Sequence, residues 1–140
     1  MNKNSLQKRI LVAAAICGAL GVLIGAFGAH GLAGFLESRG LDAETIAKRS
    51  DQFDVGARYH LVHAVVLLSL AAVPFGADRI RRVASWLFLL GIVFFSGSLY
   101  LLVVFNVPKF GAVTPIGGLL WIFGWITLLG LVKNRDVSDR

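Results

Sequence analysis

Four stretches of the chain contain no Asp, Glu, Lys or Arg: Ile10–Ala29, Tyr59–Phe75, Val83–Val107 and Thr114–Val132. They run for 20, 17, 25 and 19 residues. A helix crosses about 30 Å of hydrocarbon with roughly 17–25 apolar residues, so each stretch can span a membrane, the second at the lower limit. The runs are continuous rather than alternating, which disfavours β-strands. A helix also satisfies its backbone hydrogen bonds internally, as lipid requires. The expected fold class is an all-α membrane protein. Four transmembrane helices form a small bundle, a single domain over residues 1–140.

Composition points the same way. Of the 140 residues, 56% are hydrophobic and 16% are charged, where a soluble domain carries about 25% charged residues. So much apolar surface excludes disorder. The net charge of +6 invites a nucleic-acid reading, but the cations are scattered between apolar runs, so no nucleic acid is expected as a partner. The single cysteine, Cys17, precludes an intramolecular disulfide and reads as a small packing residue. The expected partner is the lipid bilayer.

Punctuation supports the spans. Pro74 and Gly76 close the second, Pro108 closes the third, and Thr114-Pro115 reads as an N-cap followed by a first-turn proline. The first span is expected to be retained rather than cleaved as a leader, because its apolar core exceeds the usual 7–15 residues. With four spans, both ends share one side. That side holds Lys3, Lys8, Arg9, Arg79, Arg81, Arg82, Lys133, Arg135 and Arg140; the other holds Arg39, Lys48, Arg49, Arg58 and Lys109. Positive-inside then places both termini in the cytoplasm. The first loop, roughly 31–58, is broken early by Gly31, Gly34 and Gly40. Asp42 can cap a short amphipathic helix from Ala43, with Ile46, Phe53 and Ala57 on one face, lying at the outer interface and feeding into the second span.

Inside lipid, close backbone contact drives helix association, so small residues mark interfaces. Gly21, Gly25 and Ala29 form a small-xxx-small ladder on the first span, with Gly28 beside it. Packing within the bundle is the first reading of that face, and homo-oligomerisation is the alternative. Trp86 lies near an interface, where indole is favoured. Trp121 and Trp125, one turn apart, are expected to face lipid or a partner together.

Topology also gathers polar groups. His30 ends the first span on the outer side, while His60 and His63 open the second there. Ser96 and Ser98 lie about 20 Å along the third span at 1.5 Å per residue. Tyr100 is higher, and Thr114 enters from outside. These residues are expected in the outer half, facing inward and pairing. Three uses remain open: structural hydrogen bonding, a small outward-facing pocket for a ligand, headgroup or ion, and a metal site on His30, His60 and His63. No carboxylate lies within a span, which argues against an ion-coupled carrier. No phosphate loop, nucleophile elbow or zinc-protease signature is present, so no catalytic residue and no cofactor are expected.

The segments Gly25-Ala26-Phe27-Gly28-Ala29-His30-Gly31-Leu32, Arg58-Tyr59 with His63-Ala64, Phe95-Ser96-Gly97-Ser98-Leu99-Tyr100 and Thr114-Pro115-Ile116-Gly117-Gly118 occur in this order. Together they resemble the bacterial family catalogued as domain of unknown function 423, whose eukaryotic relative is transmembrane protein 256. The resemblance implies a small four-helix integral membrane protein and no activity. Its motifs coincide with His30, Arg58, Tyr59, His63, Ser96, Ser98, Tyr100 and Thr114. His60 departs from it, since Gln is more usual there. Arg58, at the outer boundary, could reach a lipid phosphate or a carboxylate of the first loop. The expectation is a multi-pass protein of the bacterial inner membrane with a structural or accessory role. Small-ligand binding and a small channel or transporter are the alternatives.

Overall fold

The apolar runs form helices longer than the runs themselves. In a computed structural model, residues 3–133 are described, with side chains from 5 to 132. Six α-helices follow in order: α1 (Lys3–His30), α2 (Leu32–Ser38), α3 (Ala43–Ala72), α4 (Asp78–Gly91), α5 (Ser98–Phe105) and α6 (Thr114–Lys133). A π-helical segment, Ile92–Gly97, joins α4 to α5, and a 3-10 turn, Pro108–Ala112, leads into α6. Four helical stretches are long and apolar enough to cross a membrane: Ser5–His30, Ala43–Ala72, Asp78–Phe105 and Pro108–Val132. Arg135 and Arg140, and the side chains of Lys3 and Lys133, all used in the charge comparison, lie outside the described residues.

The first loop is more ordered than its glycines suggest. Gly31 is the turn residue that separates α2 from α1, whereas Gly34 lies within α2, which Leu32 and Leu36, one turn apart and both 1% exposed, anchor to the core. Gly40, at φ +77°, supplies the left-handed turn that ends this piece. Asp42 then caps α3, its carboxylate accepting the Thr45 amide at 2.9 Å and the Thr45 hydroxyl at 2.8 Å. The expected helix from Ala43 is continuous with the second span. Its 30 residues extend about 45 Å, so its charged first turns reach beyond a hydrocarbon layer of about 30 Å.

Helix α3 is the centre of the molecule. It packs along α1 on one side and against α5 and the π segment on the other, while α6 packs on α4 and the π segment. Helix α1 is peripheral: only 17% of its most apolar window is buried, against 44% for α3. An inner core joins Leu6, Ile10, Leu67, Leu70, Phe88, Trp121 and Leu131. An outer core joins Leu32, Leu36, Phe53, Leu102 and Val103. The outward faces carry Leu23, Val93, Ile122 and Leu129, as a lipid-facing surface should. Ser69 and Thr127, also outside, donate to carbonyls one turn earlier at 3.0 and 2.7 Å, which removes their hydroxyls from lipid.

Two sequence expectations change here. The packing face of α1 is Gly21 and Gly28, not the ladder Gly21, Gly25, Ala29. A Cβ on Gly21 would meet Leu61 at 2.7 Å and one on Gly28 would meet Phe53 at 2.9 Å, whereas Gly25 has open space and Ala29 is exposed. The seven-residue spacing wins because α1 lies nearly along α3, so contacts recur every two turns. The second change is the end of the third span. Asn106, at φ 53° and ψ 42°, stops α5 two residues before Pro108. The Val107 amide donates to the Leu102 carbonyl at 3.0 Å and the Asn106 amide to that of Val103 at 3.2 Å, the paired bonds of a left-handed helix end.

Candidate functional site

Helix α3 presents His60 and His63 inward, with the half-exposed Tyr59 beside them, within little more than one turn. His63 is 4% exposed. Its Nδ1 lies 2.8 Å from the Tyr59 carbonyl, which can only accept, so the ring proton is assigned to Nδ1. The imidazole lies flat on Trp121, with centroids 3.7 Å apart and planes 3° apart. Tyr59 extends the stack at 5.6 Å from the same indole, and Phe95 closes it at 4.6 Å. Trp121 donates from Nε1 to the Phe88 carbonyl at 3.2 Å. Glycine makes this crowding feasible: a Cβ on Gly91 would sit 2.2 Å from Trp121, and one on Gly117 would sit 2.3 Å from the Phe95 backbone nitrogen.

A second group surrounds His60, also 4% exposed. Its Nδ1 and the Tyr100 hydroxyl are 3.2 Å apart. Its Nε2 is buried without a hydrogen-bond partner. Ser96, fully buried one turn before Tyr100, stands beside the phenol, its hydroxyl likewise without a partner. A third group is the Ser98–Thr114 pair, whose hydroxyls meet at 2.8 Å, with Ser98 also 2.9 Å from the Phe95 carbonyl. The Thr114 hydroxyl thus bridges helices at the start of α6.

The eight candidate residues therefore do not form one cluster. Tyr59 and His63 join the aromatic stack, Tyr100 and Ser96 join His60, and Ser98 joins Thr114. Arg58 is exposed and pairs with Asp54 one turn earlier. His30 is exposed at the end of α1. Heights differ too. Gly28 of α1 opposes Phe53 of α3, and His63 lies ten residues further on, about 15 Å deeper than the level His30 has already passed. Trp121, which touches His63, is about 10 Å below Thr114. Among the described residues no three His, Cys, Asp or Glu side chains converge as a metal site would need. The two tryptophans also part company: Trp121 is 4% exposed and Trp125 49%. Each residue turns the helix by about 100°, so four residues overshoot a full circle by about 40°, enough at an interface edge to put one indole inside and one out.

Two buried arginines escaped the sequence reading. Arg81 is 0% exposed. It donates to Asp78 and to the Val73 and Phe75 carbonyls, each at 2.9 Å, and so ties the end of α3 to the start of α4. Arg49 donates to Asn106 and Gln52, each at 2.8 Å, and ties α3 to the end of α5. Each sits in a row of cations that charge counting treats alike.

Residues 24–118 match the family described as "Protein of unknown function (DUF423)". The chain belongs to that family. It is 39% identical over 128 residues to the UPF0382 membrane protein YwdK of Bacillus subtilis (strain 168), which covers 88% of this chain and 94% of the relative. It is 33% identical over 133 residues to a UPF0382 membrane protein of Haemophilus influenzae, covering 94% of this chain and all of the relative. No solved structure is a significant match. The family match contains all eight candidate residues, the core around Leu32, Leu36, Phe53, Leu102 and Val103, and the buried arginines, while Trp121 lies just beyond it. As a DUF423 member with four membrane-length helices, the chain is an integral membrane protein in contact with the bilayer.

Proposed function

We propose that this family member is a structural or accessory protein of the bacterial inner membrane, a single four-helix domain with both termini cytoplasmic. The carrying observation is the sealed stack of His63 on Trp121 in the middle of the bundle. A path for solute or protons through one chain would have to pass the level where three helices close on an aromatic plug. Four further polar side chains support the same reading. Arg49, Arg81, Ser98 and Thr114 join helices to each other. The peripheral α1 leaves most of its surface to lipid or to a partner protein or second copy.

A second reading has one observation in its favour. An outward groove of about 290 Å³ runs between α1 and α3, lined by Gly25, Gly28, Ala29, Ser50, Asp51 and Asp54. Ser50, Asp51 and Asp54 give it a polar wall, though none of the eight candidate residues lines it, and a small ligand would fit there.

The test combines photo-crosslinking from Leu20 or Leu23 of α1 in native membranes with flux measurements on reconstituted vesicles. The accessory reading expects a discrete protein adduct and no protein-dependent ion or solute flux. Lipid adducts alone, or a flux that follows the protein, would defeat it. Reporter fusions at Asp51 and Lys133 test the orientation, with Lys133 expected on the cytoplasmic side.

A further inference from the structure

The two sides of α3 are not equally filled. Near the end of the bundle that carries the start of α1 and the α3–α4 turn, α1 leans on α3 and touches α4 only sparsely. Small side chains, Ala13 on α1 and Ser85 on α4, face the space between. The result is a crevice of about 280 Å³, walled mainly by leucine, isoleucine and alanine and open to its surroundings. Arg9 from α1 and Arg82 from α4 both line it, as does Trp86, which is 59% exposed. The order along the membrane normal is informative. Both guanidiniums lie within the first turns of their helices, Trp86 is one turn further in than Arg82, and the apolar wall continues beyond.

We infer that this crevice binds one anionic phospholipid, its phosphate held between Arg9 and Arg82, its glycerol region beside Trp86 and an acyl chain against the apolar wall. Charge complementarity selects the occupant. Two guanidiniums at the mouth of a hydrocarbon-lined cleft suit a phosphodiester with a fatty chain, since each offers a fork of donors to phosphate oxygens. Basic pockets between membrane helices bind anionic headgroups by this arrangement. Indole beside it matches the headgroup boundary. The lipid would also fill the gap that α1 and α4 leave, fastening the least buried helix to the rest of the bundle. The inference does not depend on which leaflet this end occupies, nor on an accessory role.

The test uses the full chain carrying Trp125→Phe, reconstituted in phosphatidylcholine vesicles with a small fraction of dibrominated phosphatidylglycerol or, in parallel, dibrominated phosphatidylcholine. Bromine quenches indole on contact, and Trp121 is buried, so the signal reports Trp86. The brominated anionic lipid is expected to occupy the site at least about fivefold more than the brominated zwitterionic one, the effect of about 1 kcal/mol per neighbouring cation. The double variant R9Q/R82Q is expected to erase the preference, R82K to keep much of it, and R79Q, at an exposed arginine of the same turn outside the crevice, to leave it intact. Equal quenching by the two lipids in the parent protein overturns the inference. So does a loss of preference in R79Q as large as in R82Q, which would mean diffuse surface attraction. If R9Q fails to fold, R82Q and R82K compared with R79Q decide the matter.

Discussion

At the residue scale, the interior of this protein shows how polar side chains become mortar in a medium without water. His63 uses one ring nitrogen on its own helix and its face on Trp121. Removing a buried ring of this size leaves a cavity, so His63→Ala is expected to destabilise by roughly 3 kcal/mol, in the range of large-to-small core substitutions, read as lowered thermal stability in detergent. His63→Phe keeps the stack and should recover most of that loss. Arg81 is a sharper case. Arg81→Met leaves the partly exposed Asp78 carboxylate unpaired and takes a donor from two carbonyls, a loss of roughly 1–3 kcal/mol. In the pair Arg81→Met with Asp78→Asn, thermal melting should show part of that loss returned. None of this was legible beforehand, for a physical reason. Hydropathy counts Arg81 and Arg82 alike, yet one is fully buried and its neighbour exposed, because a 100° step along α4 turns them to different surroundings.

Elements were read better than their ends. The four spans follow from uncharged length alone, and the Asp42 cap from a carboxylate placed before an amphipathic run. Hydrogen bonds from the Thr45 amide and hydroxyl hold the Asp42 carboxyl below its ordinary range. Its folded value is thus depressed, so its contribution is present above the ordinary aspartate pKa of about 3.9 and fades as pH falls through the lower folded value. Hydrogen-exchange protection in the first turn of α3, corrected for the intrinsic rate, should fall only on such acidification, and at every pH in Asp42→Ala. The π segment was not legible, because it leaves no compositional mark. A π-bulge amounts to an inserted residue in an α-helix. Deleting Val93, which is 62% exposed, should therefore regularise the helix and preserve the fold, while deleting Ile122 from regular α6 should rotate Trp121 out of register; size-exclusion profiles separate the two. Glycine spacing was half legible. Gly117→Ala, which would press on backbone, should destabilise strongly. Gly25→Ala, in open space, should fall within about 0.5 kcal/mol of the parent.

For the whole molecule, the expected convergence of motif residues at one height gave way to three separate joints. The step that failed was the start of the second span. Counting from Tyr59, the first uncharged residue, puts His60 and His63 at a membrane boundary. The helix begins at Ala43, and its neighbours place His63 beside Phe88 and Trp121, well inside the bundle. The last charged residue before an apolar run marks neither where the helix starts nor how its next turns are packed. Close contacts still link every spanning helix: α1 meets α3 at Gly21 and Gly28, α3 meets α5 at Tyr100 and its end at Asn106, and α3 meets α6 at Trp121. The claim central to this account is that the midpoint is dry and filled. Its most direct test is aqueous quenching of the lone Trp121 in a Trp86→Phe, Trp125→Phe protein reconstituted in vesicles. The account expects blue-shifted emission that acrylamide barely touches from either side; emission quenched as readily as an exposed indole would show a wetted centre and contradict it.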